Sequence, residues 1–314
     1  MINNVPEKAI NIVAAARSNS TYKQYNTALK KWWPFCALEQ LDPFKFDVSN
    51  VLKFLSAEYE KGAAEGTLNS YRSALAAIHG PELGEDKGVK NFFSGVRKLR
   101  PSLPKYDISW NPQIILDYYC AMPDNDSLSL RQLAVKTITI LALITAHRMQ
   151  TFSLIRTENI EVFKDKIIIK IPDVIKTTGK NRLQPVLRIP FFKGNLKFCP
   201  ASALSEYILR TKLIREPGSM LFISCGNPHK SVTPQTLSKW VSKSMAAAGL
   251  DTNLFTAHST RHAATSTAKR CGVNLDTIRK TATWTSNFST FARFYDRPLG
   301  EDRDLFAISI LKQT

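Results

Sequence analysis

The chain has 314 residues, 44% of them apolar and 22% charged, proportions of a globular protein with one or two domains that set aside a disordered or fibrous chain. Its 43 lysines and arginines outnumber 26 acidic residues and leave a formal charge of +17, an imbalance that points to a polyanionic partner, nucleic acid first. Five widely spaced cysteines (Cys36, Cys120, Cys199, Cys225, Cys271) include no Cys-x-x-Cys pair, which argues against a zinc site or a disulfide framework; they are read as small buried apolar residues in a reducing compartment. The N-terminal MINNVPEKAINIVAAARSNS does not read as a secretory leader, and the longest apolar run, Thr137 to Ala146, is too short to span a bilayer, so an intracellular soluble protein is expected.

Residues 5 to about 99 read as helices. Thr21-Tyr22-Lys23-Gln24 has the pattern of a capping box, and behind it Tyr22, Tyr25, Leu29, Trp32 or Trp33, and Cys36 recur at helical spacing. Pro34 is placed to kink the last turn. Val51, Leu52, Phe54, Leu55 and Tyr59 mark a second helix ending near Gly62, and Leu68, Tyr71, Leu75 and Ile78 a third, stopped by Gly80-Pro81. Val89 to Leu99 gives a short last one. The aromatic residues of this region are read as core, and Lys23, Lys30, Lys31, Arg72, Arg97 and Lys98 as phosphate candidates, because phosphate contacts call for long basic side chains. Arg100-Pro101-Ser102-Leu103-Pro104 reads as an extended linker, placing a domain boundary between 1–104 and 105–314.

Beyond the linker a helix is expected from Asn111-Pro112 towards Ala121. Leu130 to Leu143 then reads as a buried helix running into Thr145-Ala146-His147-Arg148. Arg148 thus stands against an apolar core, where a charge is costly unless paired; it is either a structural arginine bridging to a carboxylate or a clamp for phosphate. Ile160 to Phe163, Lys166 to Ile171 and Leu183 to Phe191 read as strands. From Lys164 to Lys197 nine basic residues face two acidic ones, so this hairpin, with Lys176, Lys180 and Arg182, is a local source of positive field. Helices are expected from Pro200 through Ile208 and from Thr233-Pro234 to Gly249, with proline at the first helical position of the latter.

The stretch Ala257 to Pro298 concentrates the chemistry. His258 and Arg261 are three apart, His262 follows, Cys271-Gly272-Val273-Asn274 makes a turn, Asp276 to Ala282 reads as helix, and Trp284 precedes Tyr295 by eleven residues. Cationic donors converging with an indole and a phenol form a site suited to attack on a phosphodiester.

The ordered set H-x-x-R-H, Trp284, Tyr295 and the upstream Arg148 resembles the tyrosine recombinase (phage-integrase-like) family. The ending SNFSTFARFYDRP resembles recombinases of eukaryotic DIRS-like and Ngaro-like retrotransposons and crypton elements. The resemblance implies a mainly α fold with a small antiparallel β-sheet: an N-terminal helical, SAM-like core-binding bundle and a C-terminal α+β catalytic domain, closing as a C-shaped clamp on double-stranded DNA. It implies a site-specific recombinase cutting and rejoining DNA through a 3′-phosphotyrosyl intermediate, with no metal, ATP or other cofactor. In that scheme Arg148, Lys176, His258, Arg261, Trp284 and Tyr295 are catalytic: two arginine forks on the non-bridging oxygens, Trp284 donating its N–H to one of them, His258 easing deprotonation of Tyr295, and Lys176 (in competition with Lys180) protonating the leaving oxygen. Lys30, Arg72, Arg97, Lys98, Lys180, Arg182, Lys239 and Lys243 are the expected DNA contacts, the last two on a helix that enters the major groove in the family. A homotetramer on two DNA sites is implied, with the tail from Leu305 to Leu311 docking on a neighbour, and a nuclear location. Two departures stand out: Thr151 occupies a position that is often acidic, and the interval from Trp284 to Tyr295 is longer than usual. A domesticated DNA-binding protein without activity and a type IB topoisomerase are the alternative readings.

Overall fold

The computed structural model describes residues 6–103, 105–176, 178–179 and 184–284, and the chain divides into two compact units, Met1–Pro104 and Lys105–Thr314. It is mostly helical with a small antiparallel sheet. No helix among the described residues is long and apolar enough to cross a membrane.

The first unit consists, among the described residues, of helices α1 (Glu7–Ala15), α2 (Asn19–Leu38), α3 (Val48–Glu60), α4 (Glu65–His79), α5 (Glu82–Glu85) and α6 (Lys87–Leu99). Side chains that satisfy the first free amides set several starts: Ser18, Asp47 and Asp86 accept from the backbone N–H groups of Thr21, Ser49 and Val89. The cap of α2 is therefore Ser18, not the expected Thr21. Gln24, read as part of a capping box, instead donates to Ser70 Oγ at 2.6 Å and ties α2 to α4. Gly80, at φ +110°, ends α4 in a conformation that residues with a Cβ rarely adopt. The core gathers Trp32, Phe54, Leu55, Leu68 and Leu75, with Trp32 edge-on to Phe54 at 5.2 Å. Its indole N–H donates to the Pro43 carbonyl at 3.1 Å, so the buried ring leaves no donor unmet. Trp33 and Tyr22, expected in the core, are exposed instead. Arg100, expected in a free linker, is held on this unit: its guanidinium stacks over Tyr59 at 4.0 Å and donates to the Tyr59 and Ala63 carbonyls.

The second unit is organised on α8 (Leu130–Thr145), which follows α7 (Gln113–Cys120). A reciprocal capping box between Ser129 and Gln132 starts α8, and eleven of its sixteen residues are buried, so neighbours cover it on nearly all sides. After the short α9 (Met149–Ser153) come β1 (Ile160–Val162), β2 (Lys166–Lys170) and β3 (Val186–Pro190), paired antiparallel in that order, with Ile167 opposite Ile189 and Ile169 opposite Leu187. Alternation sends these four side chains inward, while Lys170, Val186 and Arg188 stay exposed. Helices α10 (Pro200–Thr211), α11 (Pro234–Ala247) and α12 (Ser259–Arg270) pack on α8, and α13 (Leu275–Thr281) packs on α12. Of the cysteines, Cys36 and Cys199 are buried as expected, but Cys120 and Cys225 are half-buried and Cys271 is exposed.

In the first unit Glu58 is 3% exposed and meets the ammonium groups of Lys31 at 2.5 Å and Lys61 at 2.9 Å. Burial pushes its carboxyl up, but the hydrogen bonds and charges of the two lysines outweigh this and hold it below the usual 4.5. Its contribution to stability is therefore complete above the unfolded value and lost as pH falls through the lower, folded one. Glu58→Gln is expected to cost about 1–2 kcal/mol at neutral pH, less than a fully buried pair because both lysines can swing into solvent. Urea unfolding of the full chain, followed by tryptophan fluorescence, should show the deficit shrinking on acidification below pH 4.5; a deficit that persists there would mean that packing, not charge, carries it.

Candidate active site

Three segments of the second unit meet around one imidazole. The first is the end of α8. Ala146 closes that helix in the left-handed conformation, at φ 50°, and so turns the chain sharply out of its axis at His147-Arg148. His147 is pushed into the core, 4% exposed and edge-on to Phe152, while Arg148 is half-buried at the start of α9. The residue hard against the core is thus the histidine, and the arginine beside it reaches the boundary. Thr151, where an acidic residue is common in the resembling family, is buried, and its N–H bonds to the Arg148 carbonyl at 2.9 Å.

The second segment begins α12. Residues 256–261 form a tight turn in which the N–H groups of Ser259, Thr260 and Arg261 reach back to the carbonyls of Thr256, Ala257 and His258. The Thr260 hydroxyl donates to the Ala257 carbonyl at 2.8 Å. His258 lies at the mouth of this turn, and Arg261 is carried inward, 1% exposed. The Arg261 Nη2 group donates to the Ala282 carbonyl at 3.2 Å, and its guanidinium faces the Trp284 ring at 5.6 Å. Trp284 is half-buried, packed with Ile278 at the end of α13. The third segment is the connection leaving β2, which carries the exposed Lys176.

The electrostatics show that these segments converge. The His258 imidazole is held down to about 4, first by burial and then by the charges of Arg261, Arg148 and Lys176. The residue keeps substantial solvent exposure, which weakens both causes without changing their sign. His147 is pushed down to about 3 by burial and then by Arg261 and Arg148. Among the described residues, the charges acting on the two rings are positive, which suits the site to an anion.

The structure brings Arg148, Lys176 and Arg261 within electrostatic reach of His258, with Trp284 against Arg261. Tyr295, Lys180, Arg182 and the tail from Leu305 to Leu311 lie outside the described residues. Among the expected DNA contacts, Lys239 and Lys243 are exposed one turn apart on α11, opposite the buried Leu237, Trp240 and Val241. Lys30 and Lys98 are exposed, and Arg72 lies over the Phe93 ring at 5.1 Å. Arg97 is engaged by Glu65 at 3.0 Å, so a phosphate there competes with a carboxylate. The sequence reading did not single out Trp110, which donates its indole N–H to the buried Ser259 hydroxyl at 2.8 Å. Its signal was modest: a lone tryptophan between a proline-punctuated segment and a helix.

The model of the phage integrase family matches residues 116–298, 183 of the 314, and the chain belongs to that family. Curated protein sequences offer no match. Solved structures share the fold. The XerH site-specific recombinase bound to its difH substrate is 17% identical, with a TM-score of 0.60 over 91% of this chain and 78% of that one. The Tn1549 transposon integrase in complex with transposon right-end DNA is 15% identical, with a TM-score of 0.59 over 95% and 94%. A lambda integrase dimer bound to a COC′ core site is 15% identical, with a TM-score of 0.54 over 94% of each chain.

Both depressed imidazoles are neutral near neutral pH in the folded chain, whereas unfolding returns them to about 6.5. The unfolded chain therefore takes up protons first on acidification, and stability falls as pH drops below 6.5 towards 4. His147→Gln, which removes the more buried of the two rings, is expected to flatten the fall in melting temperature between pH 6.5 and 4. Parallel melting curves for the two proteins across that range would show that His147 is not the proton acceptor.

Proposed function

We propose that this chain is a site-specific DNA recombinase that cuts and rejoins DNA through a covalent phosphotyrosine. The observation that carries this reading is the gathering of Arg148, Arg261 and Lys176, from three separate segments, on the single imidazole of His258. A scissile phosphate carries negative charge on two non-bridging oxygens, and the transition state carries more; guanidinium forks held in place before the substrate arrives stabilise that charge without reorganising. Arg148 and Arg261 take this role, with the Trp284 indole beside Arg261 as a further donor.

Tyr295 lies within the span that matches the family. Its phenol oxygen attacks phosphorus, the bond from phosphorus to the 5′-oxygen breaks, and the DNA keeps a 3′-phosphotyrosyl link and a free 5′-hydroxyl. The phenol proton passes towards His258, which is neutral and so able to accept it; an arriving phosphate offsets the surrounding cations and raises its basicity. Lys176 supplies the proton to the leaving 5′-oxygen, a role that its charge acting on His258 supports. Rejoining reverses these steps, so the energy of the phosphodiester is kept in the covalent link.

We extend the reading to partners. On duplex DNA, α11 presents Lys239 and Lys243 to the major groove, and the first unit contributes Lys30, Arg72 and Lys98. Four protomers assemble on two sites, with the tail from Leu305 to Leu311 docking on a neighbour. DNA-bound relatives of the same fold, a lambda integrase tetramer on a Holliday junction among them, support this arrangement. A mobile element of the DIRS-like, Ngaro-like or crypton kind, acting in a nucleus, is the origin that the ending SNFSTFARFYDRP favours.

Covalent trapping tests the chemistry. Nicked duplexes and supercoiled plasmid are incubated with the protein in EDTA and quenched with SDS. A protein–DNA adduct is expected with the parent chain and not with Tyr295→Phe, and Arg261→Ala should slow its formation by ~10²-fold or more. Salt-sensitive DNA binding without any adduct, on DNA selected for tight binding, would favour a binding protein in place of an enzyme.

A further inference from the structure

The segment Tyr106 to Trp110 grips the turn that carries His258 and Arg261 from two sides. At one end the Trp110 Nε1–H donates to Ser259 Oγ at 2.8 Å, and that hydroxyl donates in turn to the Thr256 carbonyl at 2.7 Å. Both side chains are buried, Trp110 4% and Ser259 0% exposed, so water is poorly placed to replace either bond. At the other end the Tyr106 ring packs on Phe255 at 5.1 Å and on His262 at 5.8 Å. His262 is itself 7% exposed and meets the His258 ring nearly edge-on, at 5.5 Å and 75°. Ser259 stands in sequence between His258, assigned to the phenol proton, and Arg261, assigned to the phosphate, and its hydroxyl links the turn to Trp110.

We propose that Trp110 is a positioning residue: by holding the Ser259 hydroxyl on the Thr256 carbonyl, it fixes the turn that aims His258 and Arg261 at a common anion. The catalytic consequence rests on the recombinase reading; the positioning itself does not. The physical case is one of order. A turn of three-residue hydrogen bonds, placed where the chain enters a helix, has several accessible geometries, and a buried bond from 149 residues away selects one of them. Among the described residues, the groups facing His258 are Arg261 on its own helix, Arg148 before α9, Lys176 after β2 and the His262 ring. A relaxed turn carries His258 away from these cations.

The test uses the full chain and two readouts. Trp110→Phe keeps the ring and withdraws the donor; Ser259→Ala removes the hydroxyl that receives it; Ser259→Thr keeps a hydroxyl. An imidazole NMR titration, with His258 assigned by substitution, reports its ionisation whether or not the protein cleaves DNA. Trp110→Phe and Ser259→Ala are expected to raise the His258 midpoint from about 4 by ~0.5 unit or more. They should slow single-turnover adduct formation ~10-fold while leaving the Kd for DNA within ~2-fold, and Ser259→Thr should restore both readouts. An unmoved His258 titration in two well-folded variants overturns the proposal, as does unfolding of both, which would assign the bond to stability alone; if only one folds, that one decides. Should the parent chain form no adduct on any DNA, the recombinase reading fails, and the titration still decides whether Trp110 positions the turn.

Discussion

A guanidinium that is 1% exposed sets the terms for the second unit. Arg261 cannot shed its charge, so the chain has to meet it with dipoles and a ring where water is excluded. The α12–α13 hairpin does this. Gly272, at φ +79°, and the cap at Asn274 reverse the chain tightly enough that the Ala282 carbonyl, 21 residues downstream, returns under the same guanidinium, with Trp284 beside it. A charge held in such surroundings acts strongly on its neighbours, because little solvent screens it. It depresses both His147 and His258, so the placement of one arginine helps to decide the protonation state of the whole site.

The positive charge of the chain is used in two ways. In the first, several cations have carboxylate partners: Lys31 and Lys61 on Glu58, Lys53 on Glu39, Lys90 on Glu85 and Arg97 on Glu65. Most of these pairs are exposed and cheap to break, so they fix local geometry more than they add stability. Around His258 the cations act together on a single point. A count of lysines and arginines does not distinguish these two uses; the pairing does.

Much of this architecture was legible in the sequence because it follows from periodicity and from the chemistry of chain ends. The strands, the buried helix before Arg148, the proline start of α11 and the hairpin between His258 and Trp284 each have a local cause. Less visible were features set by distant partners. Ser18, not Thr21, caps α2, since Gln24 is drawn across to Ser70. His147, not Arg148, occupies the core, since one left-handed residue at Ala146 shifts the side that faces inward. Arg100 is drawn out of the expected linker by the Tyr59 ring. The bond from Trp110 to Ser259 spans half the chain and has no local pattern to announce it.

That last contact also bears on where a fragment of the second unit has to begin. The contact boundary falls at Lys105, and the segment from Tyr106 to Trp110 looks like dispensable leader when judged by secondary structure alone. A fragment trimmed to the first described helix of the second unit, at Gln113, would keep the described helices and strands of that unit and discard the indole that closes on Ser259. The five residues from Tyr106 to Trp110 belong, in energetic terms, to the helix that starts at Ser259.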